Sequence, residues 1–281
     1  MERTRDRLEV LDRIHYCEEN ELWDRDVEND PPTIPLNPDD VDYLNTKLSN
    51  KLKTKIANFV GNKFYKKLLK DKQYIFKGVE GLDKIKNIKG GAIITCNHFN
   101  IFDNYAVLLA LREIDKKAKL YRVIREGNYS FTGKIGFFMR HCNNLPLSQN
   151  TATMMKCLKA IDTLLTRGEK ILVYPEQGMW WNYRKPRPLK DGAYKFAVRN
   201  NVPVIAMFIT LNDSDLLDKF GFPVQEYTVH IEDVIYPDKN LTSKENVDYM
   251  KNKNYELNKQ TYEKVYNTKL VYSIKQKESS I

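Results

Sequence analysis

The chain predicts an α/β fold: a mostly parallel central sheet of about seven strands flanked by helices, with an N-terminal helical extension. Two observations carry this. From residue 73 onward, short apolar runs alternate with helical segments, the signature of strand–helix–strand units. Several of those runs, such as Ala92-Ile93-Ile94-Thr95 and Ile171-Leu172-Val173, are apolar throughout, as strands covered on both faces require.

The elements follow in order. Residues 1–28 are predicted helical, with Leu8, Leu11, Ile14, Leu22 and Trp23 as apolar points. Asn29-Asp30-Pro31-Pro32 ends that segment, and Pro35 and Pro38 continue a linker. In residues 41–72, Leu44, Leu48, Leu52, Ile56, Val60, Phe64 and Leu68 recur every four residues, close to one helical face. Gly61 predicts a break into two helices. Strands are expected at Gln73–Val79, Gly91–Thr95, Leu120–Ile124, Leu145–Leu147, Ile171–Tyr174, Val202–Ile209 and Tyr227–Ile235, and helices at Asp103–Ile114, Thr151–Thr166, Leu189–Asn200 and Asn246–Tyr266. The organisation expected is an N-terminal acidic-then-basic helical segment, 1–72, followed by an α/β domain, 73–281.

Charge divides the chain. Residues 1–40 hold 13 acids and 5 arginines, a net of −8, against +9 for the whole, so the remainder carries +17. Residues 41–72 alone hold nine lysines and two acids, Asp42 and Asp71. A basic amphipathic helix of this kind either lies on an anionic membrane or packs on its own domain with lysines outward. No apolar run reaches the roughly 18 residues of a spanning helix, and the charged start Met1-Glu2-Arg3-Thr4-Arg5 does not resemble a secretory signal. A cytoplasmic protein, peripheral at the inner face of the membrane, is expected. The four cysteines form no CxxC pair and the four histidines lie at no ligand spacing, so neither a metal site nor a bound cofactor is expected. No nucleic-acid-binding motif is recognisable, and no nucleic-acid partner is expected.

The stretch Asn97-His98-Phe99-Asn100-Ile101-Phe102-Asp103 concentrates the chemistry. His98 lies just past the C-terminal end of a predicted central strand, the edge where open α/β sheets bind ligands. Asp103 opens a predicted helix, where a carboxylate is favoured. A short loop can fold the aspartate onto the imidazole, fix its tautomer and leave the other ring nitrogen to accept a proton. There is no GxSxG elbow, and Cys96 falls on a buried strand. The base would therefore activate a substrate hydroxyl rather than an enzyme nucleophile. Two later segments join it. Tyr174-Pro175-Glu176-Gln177-Gly178 ends another strand, followed by the cationic loop residues Arg184, Lys185 and Arg187. Gly136-Phe137-Phe138-Met139-Arg140 is an apolar segment ending in arginine.

Together with Val202-Pro203-Val204-Ile205-Ala206-Met207, and in this order, these blocks resemble the glycerolipid acyltransferase family. The resemblance covers roughly residues 75–235. It implies that His98 is a general base oriented by Asp103, with an acyl thioester on coenzyme A or acyl carrier protein as co-substrate and a glycerol-phosphate-type lipid as acceptor. It implies that Asn97, Asn100, Arg140, Glu176 and Gly178 shape the substrate site. The third block departs from the family pattern: Gln177 separates Glu176 from Gly178, and Met179-Trp180 stands where Thr-Arg is usual. Arg184, Lys185 or Arg187 would then replace the missing phosphate ligand, or the acceptor is a non-phosphate glycolipid or cell-envelope precursor. A non-catalytic basic membrane- or nucleic-acid-binding protein is the remaining reading.

Overall fold

A computed structural model describes residues 2–275. Helices α1 (Glu2–Glu19) and α2 (Leu48–Lys70) precede β1 (Ile75–Glu80), β2 (Ala92–Thr95), α3 (Asp103–Arg112), β3 (Tyr121–Ile124), α4 (Gly133–His141) and β4 (Asn144–Pro146). Then come α5 (Thr151–Thr166), β5 (Lys170–Val173), α6 (Gly192–Asn200), β6 (Val204–Leu217), β7 (Pro223–Ile235) and α7 (Ser243–Tyr266). The strands form one sheet in the order β1-β7-β6-β2-β5-β3-β4. Strands β2 to β6 are parallel to one another, and β7 runs antiparallel to β6 with β1 parallel to it.

The wholly apolar strands now have their reason. Ile93, Ile171, Val173, Val204 and Ala206 face one core, against α5, α6 and α7. Ala92, Ile94, Leu172, Ile205, Met207 and Ile209 face the other, against α3 and the end of α2. Each side of the sheet is covered, so alternation along a strand changes the partner and not the polarity.

The structure departs from expectation in four places. First, α1 stops at Glu19, and residues 20–47 run as an extended, turn-rich segment over the body, burying Leu36, Val41 and Tyr43 in the α5–α6 core. Second, α2 is one continuous helix through Gly61; a Cβ there would only reach ordinary contact, 4.0 Å from Phe138. A helix packed against neighbours tolerates the roughly 1 kcal/mol penalty of a glycine. Third, the Gly136–Arg140 segment lies on helix α4. Fourth, β6 and β7 extend well past the sheet into a long hairpin turned at residues 218–222.

Among the buried polar groups, Glu232 on β7 has a measurable consequence. It is 8% exposed, and burial pushes its carboxyl up to about 8. A carboxyl whose folded pKa exceeds its unfolded value of about 4.3 leaves the native state holding the extra proton. Stability from this group is then lost as pH rises from about 4.5 towards 8. Glu232→Gln, which mimics the protonated form, is expected to raise stability by about 1–3 kcal/mol at pH 8 and to change little at pH 4. Denaturant midpoints at the two pH values check this; equal shifts at both would contradict it.

Candidate active site

The site forms at the C-terminal edge of β2 and β5. Beyond Thr95, Asn97 takes over strand pairing. Its side chain donates to the Ile209 carbonyl (2.9 Å) and accepts from the Ile209 N–H (2.8 Å), clamping the loop to β6. This buries Asn97 and turns the next residue, His98, outward, its side chain 22% exposed.

The loop then folds back. The Asn100 side chain accepts from the Phe102 N–H at 3.1 Å, and the Asn100 carbonyl accepts from the Asp103 N–H at 3.2 Å. This places Asp103 in the first turn of α3 with its carboxylate under the loop. Oδ2 of Asp103 lies 2.7 Å from Nδ1 of His98 and accepts from the N–H groups of Phe99 (3.1 Å) and Asn100 (3.3 Å). Oδ1 accepts from the Tyr174 hydroxyl. A buried carboxylate can only accept, so it holds the proton on Nδ1 and leaves Nε2 with a free lone pair. With that lone pair turned to solvent, Nε2 is able to accept a proton.

Tyr174, the residue after β5, also stacks on His98, with ring centroids 3.9 Å apart and planes 12° from parallel. Burial, with the Asp103 charge beside it, raises the phenol well above its ordinary value, so it stays protonated and donates. Burial likewise raises the Cys96 thiol well above its usual range, which leaves it inert as a nucleophile.

Glu176 and Arg187 sit behind this pair, and each has a protein partner. Glu176 is 3% exposed; its Oε2 accepts from the His98 N–H at 3.2 Å, and from the Arg187 guanidinium at 2.9 and 3.2 Å. Arg187, with no exposed surface, also donates to the His98 carbonyl (3.4 Å), the Trp23 carbonyl (3.0 Å) and the Gly178 carbonyl, and lies over the Trp180 ring. The two charges hold the His98 peptide from both ends. Gly178 allows a close approach: a Cβ there would stand 3.0 Å from the Arg25 carbonyl.

The other expected ligands are dispersed. Arg184 pairs with Asp213 of the hairpin at 2.8 Å, and Lys185 with Glu18 of α1 at 2.5 Å. Arg140 reaches back over Gly136 to the carbonyls of Tyr129 and Phe131, both at 3.0 Å. Gly136 is required for that, because a Cβ would lie 1.9 Å from the Phe131 carbonyl oxygen. The structure thus brings together His98, Asp103, Glu176 and Arg187, with Asn97 and Asn100 shaping the loop, and gives Arg140, Arg184 and Lys185 contacts elsewhere.

Trp180, which the sequence suggests as a core or lip aromatic, is fully buried, whereas the sequence reading gives Tyr174 no role. A signal was present for Tyr174: it is the one residue of the run Ile171–Tyr174 with a polar tip, and buried tyrosine hydroxyls find partners.

Residues 77–210 match the model of the family described as Acyltransferase. This segment belongs to the acyltransferase family. It holds β2 to β5, α3 to α6, the first part of β6, and every residue of the site described above except Asp213 and the N-terminal partners Glu18, Trp23 and Arg25. Among solved structures, the 1-acyl-sn-glycerophosphate (LPA) acyltransferase PlsC from Thermotoga maritima is similar, with a TM-score of 0.50 and 17% identity over 80% of this chain and 99% of that chain. This likeness is one of fold. No curated protein sequence matches the chain. Among the described residues, no cluster of three metal-binding side chains forms.

Proposed function

We propose that this protein is an acyltransferase that moves an acyl group from a thioester, on coenzyme A or acyl carrier protein, to a hydroxyl of a glycerol-phosphate-type lipid. The observation that carries the reading is the 2.7 Å contact between His98 Nδ1 and the buried Asp103 carboxylate. Nε2 of His98 takes the proton of the acceptor hydroxyl as its oxygen attacks the thioester carbonyl. The tetrahedral intermediate collapses with cleavage of the carbon–sulfur bond, and the imidazolium returns the proton to the departing thiolate. Base and hydroxyl act directly, so no acyl-enzyme forms.

We place this reaction at the inner membrane face, with the anionic surface as partner. Leu48, Leu52, Ile56, Phe59, Val60 and Phe64 on α2 are exposed, and lysines surround them. A helix of that character suits the headgroup boundary. Among the described residues no helix is long and apolar enough to cross a membrane.

A second acceptor class has an observation of its own. The three cations expected to meet a phosphate are each engaged by a carboxylate: Arg184 by Asp213, Lys185 by Glu18, Arg187 by Glu176. That favours an acceptor without phosphate, such as a glycolipid or cell-envelope precursor. One assay separates the two. Protein on anionic vesicles is given acyl-CoA or acyl-ACP with lysophosphatidic acid, glycerol-3-phosphate or a monoglycosylated lipid, and products are identified by mass. Acylated lysophosphatidic acid or glycerol-3-phosphate supports the first reading and acylated glycolipid the second. No product from any pair overturns both.

A further inference from the structure

We infer that Tyr174 is a positioning residue that sets the basicity of His98 through Asp103. This rests on the reading of His98 as the general base, and its test is chosen to be readable without that reading. The Tyr174 hydroxyl donates to Asp103 Oδ1 while His98 Nδ1–H donates to Oδ2 of the same carboxylate. Two donors thus share one negative charge. Each hydrogen bond that Asp103 accepts from Tyr174 leaves less electron density for the imidazole, so the imidazolium is held less tightly.

The ring of Tyr174 has a separate effect. It lies flat against His98 at 3.9 Å, preventing the imidazole from rotating away from Asp103, and an aromatic face favours the cationic form. The hydroxyl and the ring therefore push the same histidine in opposite directions. Phenylalanine keeps the ring and removes the hydroxyl, so it isolates the effect proposed.

Other charges and titratable groups face this cluster. Glu176 accepts from the His98 N–H, and Arg187 donates to the His98 carbonyl. Arg122 acts electrostatically on Tyr174, and Cys96, Tyr65, Tyr74 and Tyr227 feel the Asp103 charge. All are shared by the wild type and a Tyr174→Phe variant, so their influence cancels in the comparison.

The experiment is proton NMR titration of the histidine C2–H signals in the full-length protein, with the His98 signal assigned by its loss in His98→Ala. In Tyr174→Phe the His98 signal is expected to titrate at higher pH than in the wild type. The acid limb of the kcat/KM profile should follow, and kcat at neutral pH should fall several-fold with KM little changed. A 3-fluorotyrosine at 174 keeps the shape and makes a stronger donor, so it should move the titration the other way; it also serves if Tyr174→Phe does not fold. A His98 titration unmoved in both replacements overturns the proposal. Titrations that move as stated, in a protein that acylates no acceptor, overturn the acyl-transfer reading and leave the positioning role standing.

Discussion

His98→Ala is expected to lower acyl transfer by about 10²–10⁴-fold and to leave the fold intact. The expectation for activity follows from Nε2 being the free proton acceptor that the Asp103 contact creates. The expectation for stability follows from where the other contacts of residue 98 lie. Its N–H to Glu176 and its carbonyl from Trp180 and Arg187 are main-chain bonds that alanine retains. Asp103, after the change, still accepts from Phe99, Asn100 and Tyr174, so no buried carboxylate is stranded. Initial rates on the responsive acceptor, together with a thermal midpoint, make the test. A folded variant that keeps full activity would rule out His98 as the base.

Arg187→Ala is expected to cost about 3–5 kcal/mol, the largest stability loss foreseen for a single residue of the site. Its guanidinium has no exposed surface and closes on a carboxylate that is 3% exposed. Truncation leaves Glu176 as an unpaired charge in a dry setting and releases the carbonyls of His98, Trp23 and Gly178. Replacing both charges by methionine is expected to be less damaging than Arg187→Ala alone, because the unpaired charge is then gone. Denaturant midpoints for the single and double variants check this. A loss under about 1 kcal/mol for Arg187→Ala would mean that the pair does not hold this region together.

The core of this molecule was legible because burial on both sheet faces leaves a plain mark: Ile93-Ile94 and Ile171-Leu172-Val173 have no polar residue to alternate with. His98 and Asp103 were legible too, since a strand end, a short loop and a helix start constrain each other locally. What escaped was decided by partners distant in sequence. Nothing near Arg187 indicates that Glu176 will bury it, or that Trp23 from the N-terminal segment will cap it. Asn97 reads as a polar motif residue, and only the register of β6 makes it a strand clamp. Asn212-Asp213-Ser214-Asp215 has no apolar residue to mark a strand; Asn212 and Asp213 are strand because they pair with Glu226 and Gln225 of β7, not because they are buried. Helix α4 carries no mark either, because Phe137-Phe138-Met139 is a consecutive apolar run with no helical spacing to read.

The strand order also sets a timetable. Ile93 of β2 pairs with Ile171 of β5 and Val204 of β6, and Phe76 of β1 with Tyr227 of β7. As the chain leaves the ribosome, β2 stays without either neighbour until β5 and β6 have been made. Pairings this distant are slow to close and leave apolar strands open to aggregation meanwhile. The loop bearing His98 hangs from that strand, so its geometry is among the last to be completed. A nascent chain halted before residue 203 therefore has its histidine and its aspartate, and not the sheet that aims them.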